Sequence, residues 1–317
     1  MISLKKGNSP FIEFTDKSWS ELRKDTPLNL TAEKLEELRG TNEVISLEEV
    51  EKIYLPLSRL LYYYVEAQKK LHLSTNCFLG GGPKKVPYII GLAGSVAAGK
   101  STMARVLQHI LSKWDWSPKV EILTTDGYLY GLDELKKKKL LERKGFPESY
   151  RQKDLLQTII DIKSGSPFIK VPLYCHKSYD ILRDKHQILE SPDILILEGL
   201  NVFHVGVGTQ RPLIGPFISD FFDFGIYLDA SLADLEKWFL NRFHTFFSYA
   251  KERGPEYYLY QFRHYEHKEI EKFARDIWTN INKKNLLENI LPFKTRADLI
   301  LTKNSSHSIE HLHLRKI

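Results

Sequence analysis

The chain has 317 residues, 42% of them hydrophobic and 27% charged, with a formal charge of +6 and only two cysteines, Cys77 and Cys175. That balance is a soluble globular protein's, long enough to bury a core without covalent staples, and the cysteines are too few and too separated for a disulfide framework or a zinc site. No apolar signal-peptide centre or membrane span of roughly 18 residues occurs, and the basic run 136–139 reads as a solvated helix face. A cytosolic protein with no membrane or nucleic-acid partner is expected, and the modest charge suits one handling small anions as well as any slightly basic enzyme.

Residues 1 to about 80 read as helical. Thr31 caps TAEKLEEL, and Gly40 stands where a helix C-terminus favours positive φ. Ser46 with Glu49 forms a capping box, opening a helix with Ile53, Leu57, Leu60, Leu61 and Tyr64 on one face. GGGP, residues 80–83, then breaks the chain. Beyond it, short apolar strands at 87–93, 120–124, 194–197, 224–228 and 299–301 alternate with helical stretches. Near-continuous Ile, Leu and Val suit strands buried on both faces, so the expected fold is α/β, a parallel sheet with helices on both faces. Ligands of such sheets gather at the carboxyl ends of the strands, and Gly94, Asp126 and Glu198 all fall just past strand ends.

GLAGSVAAGKST, residues 91–102, carries the frame G-x-x-x-x-G-K-S, after one strand and at the start of a helical run. The backbone N–H groups of Gly94, Ser95, Val96, Ala97, Ala98 and Gly99, continuing to Thr102, suit a phosphate cradle at a helix N-terminus. In such a loop Lys100 reaches the β- and γ-phosphates and Ser101 gives its hydroxyl to Mg²⁺. Glu198, closing the strand of DILILEGLNV, is the second metal candidate, acting directly or through water. Asp193 at the other end of that strand reads as structural.

A P-loop alone serves ATPases, GTPases, motors and kinases, and the Asn-Lys-x-Asp guanine signature is missing. TTDGYLY, residues 124–130, offers Asp126 as a base for an attacking hydroxyl, or equally as the first residue of an Asp-Gly turn. Arg242 lies on the apolar face of a helix capped by Ser231, with Leu235, Trp238, Phe239 and Phe246. A guanidinium there either snorkels or clamps an anion.

Taken together, GSVAAGKST, TTDGYLY, KGFPESY, PLYCHKSYD, DILILEGLNV, NRF at 241–243 and NLLENILP resemble bacterial type I pantothenate kinase, in family order from EEVEKIYLPLSRLL to LTKNSSH. The resemblance implies transfer of the γ-phosphoryl of ATP to pantothenate, the first step of coenzyme A synthesis. It also implies a single P-loop kinase domain in four parts. These are a helical N-terminal extension (1–82), a nucleotide-binding core (83–230), a helical acceptor and lid region (231–296) and an adenine-side C-terminal segment (297–317).

Carried over residue by residue, Lys100 and Ser101 serve ATP and Mg²⁺, Asp126 is the base, and Glu198 supports the metal. Tyr174 and His176 line the acceptor pocket, Arg242 reaches into it, Asn282 hydrogen-bonds the acceptor, and Asn42 and His307 flank the adenine. Coenzyme A, the family's feedback inhibitor, would meet Lys100, Arg105, His176 and Phe246. The family is dimeric, and the helices at 46–71 and 100–111 are candidate interfaces. Phe239 and Phe262 stand where family members carry tyrosine, which removes two hydroxyls from the pocket border. A uridine kinase or phosphoribulokinase activity, or a silent nucleotide-binding protein, is the competing expectation.

Overall fold

The computed structural model describes residues 9–40, 43–82, 85–206 and 215–317. Five strands form the parallel centre of one sheet: β2 (Tyr88–Gly94), β3 (Val120–Thr124), β6 (Ile194–Glu198), β7 (Phe224–Asp229) and β8 (Leu299–Lys303). Every residue of β2 and β6 is buried. Successive strand side chains point to opposite faces, so burial at every position requires cover on both faces. The amphipathic helix Lys100–Leu111 supplies part of that cover, seating Met103, Val106 and Leu107 against β2, β3 and β6.

Two further strands, β1 (Phe11–Thr15) and β9 (Ile309–Arg315), extend this sheet at one edge, giving the order β1-β9-β8-β7-β2-β6-β3. Both pair antiparallel, β1 with β9 and β9 with β8. The sheet is thus mostly rather than wholly parallel, and residues 11–15, expected to be helical, are strand. Only Phe11 is buried, with Ile12, Glu13 and Thr15 exposed, as suits a strand at the sheet's edge. A separate antiparallel hairpin, β4 (Phe168–Cys175) with β5 (Asp180–Glu190), projects beside the centre.

The N-terminal helices pack on the core through the expected face: Ile53, Leu57 and Leu61 are fully buried, and Tyr64 meets Phe224 edge-on at 5.2 Å. A π-helical turn, Val50–Tyr54, precedes the long helix Leu55–Leu79, which ends on Gly80 in the left-handed region. Thr31 caps its helix as expected, accepting the Lys34 N–H at 3.2 Å. Two local expectations fail. Gly40 does not take positive φ, because the helix ends on an extended Arg39. Gly40 is needed for close approach instead: its N–H donates to Thr102 Oγ1 at 2.8 Å, and a Cβ would lie 3.1 Å from that oxygen. The capping box is half formed. Ser46 Oγ accepts from the Glu49 N–H, but Glu49 Oε1 accepts from Ile309 N–H, in β9, rather than reaching back to Ser46.

Candidate active site

Strand registers bring the carboxyl ends of β3 and β6 level and carry β2 two residues beyond them, beside β7. Leu92 and Thr124 both pair with Glu198, and Gly94 pairs with Leu228. The strands run slightly further than their apolar cores, so Gly94 and Glu198 are last strand residues rather than the first beyond.

From Gly94 the chain turns through Ser95–Gly99 into the Lys100–Leu111 helix. Gly94 has φ 147°, and a Cβ there would meet the Leu228 carbonyl oxygen at 2.6 Å. Gly99 has φ 96°, and its missing Cβ leaves room for the Lys303 amine, 2.7 Å from where that atom would sit. Neither position tolerates a side chain. Ala97 is also left-handed, at φ 63°, a conformation that turns successive amides toward one point. Ser95 and Ala98 are buried, and Lys100 Nζ donates to the Ser95 carbonyl at 2.7 Å.

Lys100 is pulled down to about 8 by burial, against the opposing attraction of Glu198 and Asp126. Glu198, 8% exposed, is pushed up by burial, opposed by Lys100 and by the Ser101 hydroxyl. Its Oε2 is buried with no hydrogen-bond partner. A buried unpaired carboxylate oxygen is costly unless a cation meets it. Beside the Ser101 hydroxyl and the phosphate loop, that oxygen fits a divalent metal.

Asp126 follows β3 in the tight turn Thr125–Tyr128, where its N–H donates to Thr124 Oγ1 at 3.4 Å. The residue is therefore a turn former, yet its half-buried carboxylate also acts electrostatically on Lys100, Glu198, His176 and Tyr174. Being part of a turn is what holds it there.

The β4–β5 hairpin supplies the facing wall. Tyr174 stands 5.1 Å from the His176 ring and 6.3 Å from Tyr179, which in turn lies 5.1 Å from Tyr258. Burial lowers the His176 pKa, against the pull of Asp126. Lys144, of KGFPESY, belongs to this wall although nothing in its sequence neighbourhood marks it. Its amine donates to the Tyr174 hydroxyl at 3.1 Å and to the Tyr179 carbonyl, and sits 3.4 Å from the Tyr179 ring centre. Burial brings it down to about 8, against Asp126 and Asp180. A lysine beside a glycine reads as solvent-exposed, and only the fold reveals otherwise.

The helix Leu232–Arg253 crosses above, capped by Ser231 as expected. Arg242 lies 5.2 Å from the centre of the half-buried Phe246 ring, and its charge is felt by Lys100 and His176. Phe239 packs against Trp278 at 5.7 Å, and Phe262 against Phe273 at 4.7 Å, within one aromatic cluster. Asn282 is half-buried at the end of a second π-helical turn, Trp278–Asn282.

Arg105 donates to the Leu38 carbonyl at 2.7 Å and to Thr102 Oγ1 at 3.1 Å, so the Thr102 hydroxyl faces the N-terminal helices. His307, at φ 70°, stacks on Trp238 with ring centres 3.8 Å apart. Burial and then the Lys303 charge bring His307 down to about 4, so its ring is neutral at pH 7. Asn42 lies outside the described residues.

A strand, phosphate loop and helix at the centre of a mostly parallel sheet, with carboxylates on two neighbouring strand ends, define a P-loop kinase. Residues 89–242 match the phosphoribulokinase/uridine kinase family model. The solved structure of the YGR205w protein shares the fold, with a TM-score of 0.52 at 16% identity, covering 80% of this chain and 98% of that one. Pantothenate kinase of Coxiella burnetii is 47% identical over 309 residues, 98% of this chain and 97% of the relative. That of Corynebacterium aurimucosum is 46% identical over 313 residues, 98% of each. The chain belongs to the pantothenate kinase family.

Proposed function

We propose that the γ-phosphoryl group of ATP passes to the primary hydroxyl of pantothenate through the groups gathered around Asp126. The observation that carries this is placement: Asp126 and Glu198, just past and at the ends of neighbouring strands, both lie close enough to bear on the charge of Lys100, over a phosphate loop. Asp126 takes the hydroxyl proton, a contribution of about 10²–10⁴ in rate. Lys100 and the loop amides hold the phosphates, and Arg242 adds positive charge on the acceptor side. Magnesium, a hard cation taking oxygen ligands, fits Ser101 and the unpaired Glu198 Oε2. When bound it supplies charge neutralisation at the phosphate oxygens.

Tyr174, His176, Asn282 and the Phe239–Phe262 cluster form the acceptor pocket, and Lys144 joins them. His307, backed by Trp238, forms the adenine side. The four-part division of the single domain follows these roles. Feedback by coenzyme A through Lys100, Arg105, His176 and Phe246 is part of this reading, and turnover indifferent to millimolar coenzyme A would remove it. A dimer is supported by Leu71, Leu73 and Phe78, exposed on the distal half of the Leu55–Leu79 helix. Sedimentation as a monomer at assay concentration would exclude it. Among the described residues no helix is long and apolar enough to cross a membrane, which suits a cytosolic enzyme.

The test is ADP release from MgATP with pantothenate, uridine and ribulose phosphate supplied separately. Stimulation by pantothenate alone is expected. Stimulation by another acceptor, or by none while ATP still binds, would overturn the assignment.

A further inference from the structure

One backbone carbonyl near the acceptor wall is held by side chains from two distant elements. The Gly145 oxygen accepts from Asn201 Nδ2 at 2.6 Å and from Asn285 Nδ2 at 2.8 Å. Asn201 lies three residues beyond Glu198, and Asn285 lies three residues beyond Asn282. The pair therefore joins the strand end that carries the metal candidate to the helical stretch that carries an acceptor candidate. The Asn285 side of the clamp is buried, at 3% exposed, and its own Oδ1 accepts from Asn289 Nδ2 at 3.0 Å, while Asn201 is half-buried. Gly145 is fixed from the other side too, its N–H donating to Ser149 Oγ at 3.0 Å.

The residue so anchored is the neighbour of Lys144. A lysine amine ends four rotatable bonds, so its position depends on how firmly its backbone is held. Here the amine reaches Tyr174 and Tyr179, and Lys144 is buried. The charged and titratable groups around it are Asp126 from the β3 turn and Tyr174, His176, Tyr179 and Asp180 from the hairpin.

We propose that Asn201 and Asn285 are positioning residues for phosphoryl transfer, which clamp the Gly145 carbonyl so that Lys144 stays seated in the acceptor wall. The phosphate loop is held by other contacts, so the clamp serves the acceptor and not ATP. This rests on the acceptor side of the site assigned above.

Asn201→Ala and Asn285→Ala each remove one donor and leave the other, so each variant retains half of the clamp. Each is expected to raise the KM for pantothenate about tenfold, in keeping with one lost hydrogen bond, with the KM for ATP within about twofold of the parent. The decisive arm is a cycle with Lys144→Met: once the amine is gone, either alanine substitution should cost little more. An equal cost with and without Lys144, or equal rises in both KM values, would overturn the proposal.

A second readout does not depend on turnover. In ε-¹³C-lysine NMR, with Lys144→Met assigning the resonance, the amine should titrate near pH 8 in the parent and higher in each alanine variant, as water regains access. An unmoved titration in both variants would refute the clamp. A parent enzyme that ignores pantothenate, with the upward titration shift still seen in the alanine variants, would refute the acceptor assignment and leave the clamp standing.

Discussion

Replacing Asp126 by asparagine keeps the shape of the side chain and removes its capacity to take a proton. The turn around it should survive, because its contacts are made by backbone: the Asp126 N–H to Thr124 and the Asp126 carbonyl to the Leu129 N–H at 3.1 Å. ATP affinity should remain within a few-fold, since the phosphate loop and Lys100 are untouched. The turnover number should fall at least about 10²-fold, corresponding to roughly 2.7 kcal/mol of barrier.

A second effect follows from the neighbours. The Asp126 carboxylate favours the charged form of Lys144, holding its pKa up against burial. Removing it lowers that pKa below about 8, so any alkaline limb that Lys144 sets in the pantothenate kcat/KM profile moves to lower pH. Nucleotide binding by calorimetry, steady-state rates and the pH profile together separate the two effects. Undiminished turnover, or an alkaline limb moving upward, would refute the reasoning.

Glu198→Gln should abolish most of the extra thermal stabilisation that magnesium adds to ADP binding, because the buried carboxylate oxygen is then neutral; equal magnesium-dependent Tm gains in parent and variant would disprove that role. Trp238→Leu removes the ring behind His307, a stack of about 0.5–1.5 kcal/mol, and should raise the KM for ATP roughly 2- to 13-fold without changing that for pantothenate. A change confined to pantothenate would disconnect His307 from the nucleotide. Phe239→Tyr returns a hydroxyl to the acceptor side and should lower the KM for pantothenate severalfold, near the worth of one hydrogen bond. Comparable catalytic efficiency in parent and variant would mean that the pocket does not miss it.

The elements that build the site were legible because their physics is local. The β2 and β6 segments are short apolar runs, buried at every position, and the phosphate frame binds backbone conformation to residue type at Gly94 and Gly99. The sheet's added edge was not legible. Phe11–Thr15 is five residues with one buried side chain, and it pairs with residues at the far end of the chain. Pro172, a register shift beside it, and the mostly exposed β5, in which only Leu189 is buried, obscured the β4–β5 hairpin. Lys144, Asn201 and Asn285 sit in stretches whose resemblance was evident, but their roles depend on three distant segments meeting at one carbonyl. Glu49 shows the same limit on a smaller scale: the sequence offers a local partner, and tertiary contact supplies Ile309 instead.

The pairing of β1 with β9 sets an order of events during synthesis. Phe11 finds its neighbour Arg315 only when the last strand has left the ribosome, so the emerging amino-terminal ribbon must wait unpaired while the nucleotide-binding centre assembles. Shortening the chain by its final seven-residue strand would leave Leu299–Lys303 with an open flank and β1 with nothing to join, inviting association between copies rather than a smaller but intact enzyme.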